Sequence, residues 1–319
     1  MIMKATLILS ILVLWCFHSA FAQGVAINET GAAPDPTAIL DVSSLNKVFL
    51  PPRMTMAQRN TILNPPLGAV IFNTTTNCLQ WFSGQAWYDG CSGQELWRPG
   101  HVHCNPAQPT VVQEVINPVT NRIWMDRNLG ANRVALSSTD AQSYGSLFQW
   151  GRRADGHQCV NRFSGDGVTT SVSTAVGAVV STDTPAHGNF IRVSADPNDW
   201  RSPQNNNLWQ GLSGINNPCP LGFRIPTQTE LNAERLSWVE APINSTNDPA
   251  GAFESPLKFP LPGFRRGNTG LLVDVGVLAY YSTSTINGIN ARSLRILSTG
   301  ASMSSFPRHH GFSVRCIKD

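Results

Sequence analysis

The chain has 319 residues, of which 13% are charged and 41% hydrophobic, and its formal net charge is +3. Lysine occurs only at Lys4, Lys47, Lys258 and Lys318, and no basic run is present, so the composition excludes the electropositive surface of a nucleic-acid-binding protein. Asn, Ser, Thr, Gly and Pro are abundant, which favours short strands joined by many turns. We therefore expect a β-rich protein.

The first 22 residues have the order of features found in a secretory signal peptide. Lys4 is a short basic head, an apolar run covers residues 5–17, and the small residues Ala20 and Ala22 precede Gln23. We predict cleavage between Ala22 and Gln23, and hence a protein that is secreted or held at the cell surface. The alternative is a retained anchor, but the run is shorter than the roughly 20 residues that span a bilayer, and no later segment supplies a span.

Six of the seven cysteines follow this segment, and an even number of cysteines in an exported chain predicts three disulfides. Spacing alone does not choose among the many possible pairings. We expect one pair to bracket a short hairpin-like segment, one to tie the last strand to the start of a helix, and the remaining two cysteines to pair. The expected disulfides are Cys78–Cys91, Cys219–Cys316 and Cys104–Cys159.

The segment HVHC allows a different interpretation, because His101, His103 and Cys104 all carry metal-ligating atoms. Zinc sites need a second group of ligands at matching spacing, which the sequence lacks. An oxidising compartment also favours cystine over thiolate. We therefore predict no metal site here and keep metal ligation as the alternative.

Residues 23–93 alternate short apolar strands with Pro, Gly and Asn turns. A helix is predicted only in TMAQRNTIL, where Thr55 is a suitable N-cap and Gln58 follows three residues later. Such a segment has few residues with which to bury a core alone. We therefore predict a β-rich stem that is elongated and associates with other copies.

The order of motifs in this stem resembles the recurrent N-terminal module of exported proteins of Bacteroidota and of phage tail-fibre necks. The resemblance implies a module that presents a variable C-terminal domain, often as a homotrimer, and it implies no catalysis. The motifs that carry it are AILDVSS, KVFLPPRMTMAQRN, NPPLGAVIFNTTT and WFSGQAW.

Residues 94–109 are rich in Pro, Gly and His and are predicted to be a linker to a second domain, residues 110–319. This domain opens with a predicted hairpin whose second strand carries Trp124. A helix is expected over about residues 140–150 from its apolar spacing. Residues 159–218 show no helical periodicity and are predicted to form hairpins and loops, where a binding function is placed most easily.

The segment GFRIPTQTELNAERLSW, residues 222–238, contains two glutamates four positions apart. Thr227 and Glu230 have the spacing of a capping box, in which each side chain bonds the other's backbone amide. Leu231 and Trp238, seven positions apart, then face the core together. The segment therefore predicts the start of a capped helix.

The alternative for this segment is an acid–base pair formed by Glu230 and Glu234. Such a pair needs a cleft and environments that separate the two pKa values, and the sequence shows no apolar pocket around either carboxylate. We expect Glu234 to pair with Arg224 or Arg235 on the helix surface. Catalysis by the two glutamates is therefore not predicted.

Residues 110–319 are similar in motif order to the Fibrobacter succinogenes major paralogous domain, which looks related to C-type-lectin-like and formylglycine-generating folds. The resemblance implies an α+β head with short antiparallel strands, about two helices and neighbouring chain ends. The motifs that carry it are NRIWMDRNLGA, YGSLFQWGR, NPCPLGFRIPTQTELNAE, LPGFRRGNTG, AYYSTS and GFSVRCIKD.

The resemblance does not carry an activity with it. Formylglycine-generating enzymes use a reactive cysteine pair near the end of the domain, whereas Cys316 is the only cysteine after Cys219 here. Calcium-dependent lectins use Glu-Pro-Asn and Trp-Asn-Asp motifs. The segment DPNDW, residues 196–200, has similar oxygen ligands, but it precedes the capped helix and no Trp-Asn-Asp follows. We expect no enzyme activity and no cofactor, with calcium as the alternative.

We therefore expect an exported, non-catalytic binding or adhesion protein whose ligand is a glycan or a surface protein. The alternative is a structural fibre or surface-layer component without a soluble ligand. A basic turn, Arg308-His309-His310, is interpreted as an ordinary surface turn, and DPNDW has the alternative of an Asx turn. The candidate ligand-binding residues are Asp196, Asn198, Asp199, Trp200 and Trp209.

Overall fold

A computed structural model describes residues 24–55, 58–59, 61–62, 65–82, 87–91, 101–105, 110–161, 171–212, 214–220 and 222–319. The predicted signal peptide and its cleavage site, Ala22 and Gln23, lie outside these residues. The chain forms two compact units, Met1–Arg53 and Met54–Asp319, and each is described by itself. The predicted linker, residues 94–109, stays a prediction because most of it also lies outside the described residues.

The described part of the first unit contains a single two-stranded sheet. Strands β1 (Val25–Ile27) and β2 (Leu40–Val42) are parallel. Two strands of three residues cannot bury a core, since an isolated strand pair is marginally stable in water. Accordingly, no residue between 24 and 53 is buried. The exposed apolar side chains are those of Val25, Ile27, Ile39, Leu40, Val42, Leu45, Val48, Phe49 and Leu50.

The second unit begins with a four-stranded sheet that contains the remainder of the predicted stem. Its strands are β3 (Arg53–Met54), β4 (Val70–Asn73), β5 (Cys78–Phe82) and β6 (Trp87–Asp89), and β4, β5 and β6 pair in antiparallel order. Burial alternates along β5, as expected for a sheet with one covered face. A small core lies on that face and contains Ile71, Phe82 and Trp87.

The described part of residues 110–319 forms short strands in several small sheets, with two α-helices and one 3-10 turn. The helices are α1 (Gln228–Ser237) and α2 (Pro249–Glu254), and the turn is Ala141–Ser143. The strands are β7 (Glu114–Ile116), β8 (Ile123–Met125), β9 (Phe148–Gln149), β10 (Val160–Asn161), β11 (Ser171–Val172), β12 (Ala175–Val176), β13 (Phe190–Ile191), β14 (Phe223–Arg224), β15 (Phe264–Arg265), β16 (Leu272–Val273), β17 (Ala279–Asn287), β18 (Asn290–Leu297), β19 (Gly300–Phe306), β20 (Gly311–Phe312) and β21 (Ile317–Lys318).

These strands form two four-stranded sheets, one three-stranded sheet and two strand pairs. The sheet orders are β14-β21-β8-β7, β16-β15-β20-β9 and β17-β18-β19, with the pairs β10-β11 and β12-β13. The mixture of small sheets and two helices is consistent with the expected α+β, β-rich class. The last strand, β21, lies between β14 and β8, so the end of the chain pairs with the second strand of the hairpin that opens the domain.

The prediction of a helix over about residues 140–150 was wrong. The structure has a 3-10 turn there, with Asp140 accepting the Gln142 amide as its cap, followed by strand β9. Gly145 ends the turn with a φ of 70°, and a side chain at this position would approach the Leu129 carbonyl within 2.6 Å. The apolar residues that suggested a helix are buried from an irregular segment instead.

Three apolar clusters form the core in the described part of residues 110–319; β8 contributes to two of them, and the third contains Ile191, Val193, Trp200 and Leu208. Trp124 packs with Leu231, Trp238, Phe259, Tyr281 and Ile317, while Met125 packs with Phe148, Trp150, Trp209 and Cys316. Because adjacent residues of a strand point to opposite faces, β8 separates its two clusters and binds them together.

Three disulfides are present, as the even cysteine count predicts. They join Cys78 to Cys91, Cys104 to Cys159, and Cys219 to Cys316, with Cα–Cα distances of 5.8, 5.1 and 5.9 Å. Cys104 is therefore unavailable as a thiolate for a metal site with His101 and His103. Within the described residues, no helix is both long enough and apolar enough to cross a membrane.

Helix α1 begins with the predicted capping box. Thr227 Oγ1 accepts the Glu230 amide at 3.3 Å, and a Glu230 carboxylate oxygen accepts the Thr227 amide at 2.8 Å. The two terminal nitrogens of the Arg224 guanidinium, Nη1 and Nη2, donate to the same carboxylate at 2.8 Å. Although burial alone would raise it, these bonds lower the pKa of Glu230 to about 2. Glu230 is thus an ionised structural group.

Glu234 does not form the predicted surface ion pair. Arg224 instead binds Glu230 and Asp319, and Arg235 binds Asn232 and Asn247. The pattern of residues three and four apart was correct for a helix, but α1 packs into the core on the side that carries Glu234. The ion pair expected for an exposed face was therefore wrong.

The Glu234 carboxylate is fully buried and is held by neutral donors. It accepts hydrogen bonds from Asn117 Nδ2 at 2.5 Å, Ser255 Oγ at 2.6 Å and Trp238 Nε1 at 3.2 Å. Burial raises the pKa of Glu234, against the lowering effect of these bonds. The two glutamates therefore have opposite shifts but do not share a cleft, and Glu234 connects α1 to the β7–β8 hairpin and to the end of α2.

The first prediction concerns the Cys219–Cys316 disulfide, which joins the loop before β14 to the residue just before β21. Replacing both Cys219 and Cys316 by alanine should lower the free energy of unfolding by about 4.7 kcal/mol, because the disulfide closes a long loop in the unfolded chain. The matched control, Cys78→Ala with Cys91→Ala, opens a much shorter loop and should cost about 3 kcal/mol. Urea unfolding measures both, and a larger loss in the control would contradict the prediction.

The second prediction concerns the pH dependence of stability. A buried carboxyl whose pKa is raised binds its proton more tightly in the folded state, so stability falls as the pH rises from the unfolded pKa through the folded one. Glu234→Gln cannot ionise and loses this dependence. The stability advantage of the parent protein over the variant should therefore be largest below about pH 4, where a glutamate is protonated in both states, and should shrink as the pH rises above it in urea titrations. An advantage that grows as the pH rises would contradict the assignment.

Candidate functional site

The two tryptophans predicted to contact a ligand lie in the core. Trp200 is fully buried, and its Nε1 donates to the Trp150 carbonyl at 2.7 Å. Trp209 is also fully buried, and its Nε1 donates to the carbonyls of Arg152 and Asn216 at 3.1 Å. Neither indole presents a face to solvent, so their role in this structure is packing.

The acidic turn divides into an inner and an outer part. Asp199 is buried, accepts the Gln204 amide at 3.0 Å and lies 3.6 Å from the Arg308 guanidinium. Burial raises the pKa of Asp199, partly offset by Arg308. Asp196 stays at the surface and accepts a hydrogen bond from Asn198, whose φ is 56°. The outer part is a turn in which the Asn198 backbone amide donates to the Ala195 carbonyl at 2.9 Å, whereas the Asx-type bond is in the inner part, where Asp199 accepts the Arg201 amide at 3.3 Å.

A group of side chains with metal-ligand spacing within the described residues is Cys78, Asp89 and Cys91. Its two sulfurs are joined in a disulfide, and a metal ligand would need the thiolate form. The carboxylates of Asp196 and Asp199 are engaged with Asn198 and with Gln204 and Arg308, respectively.

One buried pair has the composition of an acid–base dyad. His157 Nδ1 lies 2.7 Å from the Asp155 carboxylate, which also binds Arg152. The other ring nitrogen of His157 accepts the Gln149 backbone amide at 3.0 Å, and the ring is fully buried. Burial, reinforced by Arg152, lowers the pKa of His157 to about 4. Both nitrogens are used within the protein, so this pair holds β9 to the following turn.

The outer part of the acidic turn lines a cavity, which we call the head cavity. It has a volume of about 450 Å³, a size typical of small-ligand sites. The backbone amide of His309 donates to the Asn198 carbonyl at 3.1 Å and so joins the acidic turn to the basic turn that the sequence also singled out. The lining residues are Ser194, Asn198, Phe264, Arg266, Asn268, Pro307, His309 and His310.

Pairing of β15 with β20 brings the walls of the head cavity together. Arg265 lies opposite Gly311, so the turn after β15 and the turn before β20 are neighbours. Gly267 connects them, because its amide donates to His310 Nδ1 at 3.1 Å and its carbonyl accepts the Val193 amide at 2.9 Å. A Cβ atom at Gly267 would overlap the His309 ring, so this close approach requires glycine.

The two histidines of the head cavity are neutral at physiological pH. Burial, together with His309 and Arg266, lowers the pKa of His310 to about 3, and burial also lowers the pKa of His309. The Gly267 amide fixes the proton of His310 on Nε2, which lies 3.3 Å from His309 Nε2. The second ring nitrogen of His309, Nδ1, then carries a proton, because Nε2 is the acceptor. This buried Nδ1 has no hydrogen bond of normal geometry.

Aromatic side chains make one wall of the head cavity rigid. Phe264 meets the rings of Tyr280 and His310 edge to face, with centroids 5.0 and 5.7 Å apart. Tyr280 in turn stacks on Phe312 at 4.7 Å and meets Phe306 at 4.8 Å. The Phe264 ring is half-buried, so one part is fixed by its neighbours and another part faces the cavity.

Sequence reasoning named Asn198 as a candidate ligand-binding residue but missed Phe264, Arg266 and Asn268. It interpreted Arg308-His309-His310 as an ordinary surface turn, which was wrong because Arg308 and His309 are buried. The three missed residues belong to the motif LPGFRRGNTG, which served only to support the family resemblance. An available signal was the adjacent Arg266-Gly267-Asn268, which combines a cation, a flexible residue and an amide in one turn. The sequence could not show that this turn meets residues 194–198.

Comparison with known proteins gives one match, and it lies outside the head cavity. Residues 26–100 match a family described as a phage tail like trimerisation region. Searches of curated proteins and of solved structures found no match to the chain. The resemblance of residues 110–319 to the Fibrobacter succinogenes major paralogous domain therefore stays a prediction, as does the lectin-like fold. The N-terminal region of this chain is similar to a phage tail like trimerisation region, as its motif order indicates.

Proposed function

We propose that this protein is an extracellular, fibre-like structural component that forms a homotrimer through residues 26–100 and displays residues 110–319. The family match supports this reading because the family is defined by trimerisation. The observation that carries it in the structure is the uncovered apolar surface of the first unit.

In a single chain, no described residue of the first unit covers this surface. Leu45, Val48 and Ile39 are 101%, 81% and 77% exposed, and no residue between 24 and 53 is buried. Burying one such side chain contributes about 1.5–3 kcal/mol, and monomeric proteins seldom leave large apolar patches in water. Three copies that cover these residues would supply the core that one copy lacks.

The distribution of disulfides supports an extracellular location. All three disulfides lie in residues 78–316, and such bonds persist in oxidising compartments. The signal peptide that the sequence predicts would take the chain to such a compartment. We therefore propose export, with the protein secreted or held at the cell surface.

A second candidate function is binding or adhesion by the displayed residues, with a glycan or a surface protein as the ligand. The head cavity favours it, since it combines polar groups without partners and an aromatic wall. We propose a non-catalytic role, because the buried Asp155–His157 pair uses both ring nitrogens inside the protein.

The third prediction tests the trimer. Size-exclusion chromatography with light scattering on residues 23–319 should give three times the monomer mass. Leu50→Asp places a charge on the uncovered apolar surface and should raise the concentration for half-dissociation at least about tenfold, since burial of a leucine is worth about 1.5–3 kcal/mol per chain.

The matched control is Leu271→Asp, because both leucines are 62% exposed and Leu271 lies in the displayed region. This variant should remain a trimer. A parent protein that is monomeric at micromolar concentration, or a control that dissociates as readily as Leu50→Asp, would contradict the proposed trimer.

A further inference from the structure

We infer that the head cavity binds a saccharide that carries a carboxylate, such as a hexuronic acid. The inference goes beyond the trimeric function and does not depend on it, because every residue that lines the cavity lies in residues 194–310 of one chain. It rests on three features: a guanidinium without a partner, polar side chains without partners, and a fixed aromatic wall.

The charge of the head cavity favours an anion. Arg266 is exposed, and its guanidinium makes no hydrogen bond or ion pair with the described part of the chain. No aspartate or glutamate is among the lining residues. Asp199 is buried beside Arg308, and Asp196 is engaged with Asn198. A guanidinium presents two parallel N–H groups that match a carboxylate, so Arg266 is suited to bind one.

The neutral polar groups favour hydroxyls beside that carboxylate. The Ser194 hydroxyl and the Asn268 amide line the cavity and make no hydrogen bonds to described residues. Each can both donate and accept, as sugar hydroxyls require. A polyhydroxylated ligand would use these groups, whereas a simple acid would leave them unpaired.

The aromatic wall favours a ring over a compact anion. Phe264 is held in place by Tyr280, His310 and Phe312, so little conformational entropy is lost when a ligand packs against it. Pro307 contributes a second apolar surface. Phosphate or sulfate would gain nothing from these surfaces and would find one arginine for its charge. A sugar ring offers C–H groups to the wall, hydroxyls to the polar side chains and a carboxylate to Arg266.

The fourth prediction uses residues 23–319 and four probes in ligand-observed NMR titrations. Glucuronate has both a ring and a carboxylate, glucose has the ring, acetate has the carboxylate, and inorganic sulfate is a compact anion. Glucuronate should bind at least about tenfold more tightly than each of the other three, because only glucuronate satisfies all three features of the cavity.

Two variants and one control assign the binding to the head cavity. Arg266→Gln should weaken glucuronate binding at least about tenfold, and Asn268→Ala should weaken it about threefold to tenfold, as expected for charged and neutral hydrogen bonds. Both side chains are exposed, so the melting temperature should not change. The matched control, Arg122→Gln, removes an exposed arginine in the β7–β8 turn and should bind as the parent does.

Each other outcome contradicts the inference. Acetate or sulfate binding as tightly as glucuronate would show a simple anion site, and glucose binding as tightly would show that the carboxylate is not recognised. Parent-like binding by Arg266→Gln, or no binding of glucuronate, would place the function elsewhere. Light scattering on the same samples separates these outcomes from failure of the trimer, since binding requires no association of chains.

Discussion

The closure of residues 110–319 by their last strand is the constraint on which the rest of this region depends. Strand β21 lies between β14 and β8, and the Cys219–Cys316 disulfide fastens the residues just before it. Strands of two or three residues are too short to be stable alone. Their stability therefore comes from the shared core around Trp124 and Ile317, which closure brings together. The hydrogen bond from Asn117 to the buried Glu234 carboxylate links α1 to the same hairpin.

The head cavity is a consequence of this arrangement. Strand β20 precedes Cys316 by only a few residues and pairs with β15, so fixing the chain end also fixes the turns that form the cavity walls. Gly267 lets the two turns approach, and the Arg308–Asp199 pair anchors them on the inner side. Charges on that inner side neutralise each other, whereas Arg266 on the outer side has no described partner. The inner side of the cavity is thus compact and charge-balanced, whereas its outer side exposes the Arg266 cation.

The described part of the first unit differs from residues 110–319 because it has no buried core. In this described part, apolar side chains lie exposed on the single pair of short strands and on the segments beside it, such as Leu45 and Val48. Trimerisation would explain this exposure, because three symmetric copies bring the same apolar side chains together and can bury them in one shared core. In this picture the Cys104–Cys159 and Cys219–Cys316 disulfides stabilise the displayed region within one chain, and association between chains stabilises the first unit.

Local rules in the sequence determined the features that depend on near neighbours. The even number of cysteines, the Thr227–Glu230 capping box and the motif order of the stem are such features, and the structure or the family match bears them out. The burial of Trp200, Trp209 and Glu234, the turn in place of a helix at residues 141–143, and the meeting of Asn198 with His309 and Arg266 were decided only by the tertiary structure. The physical reason is that polarity and spacing determine interactions between residues close in sequence, such as a helix cap. Pairing between distant strands decides which side chains are buried and which come into contact.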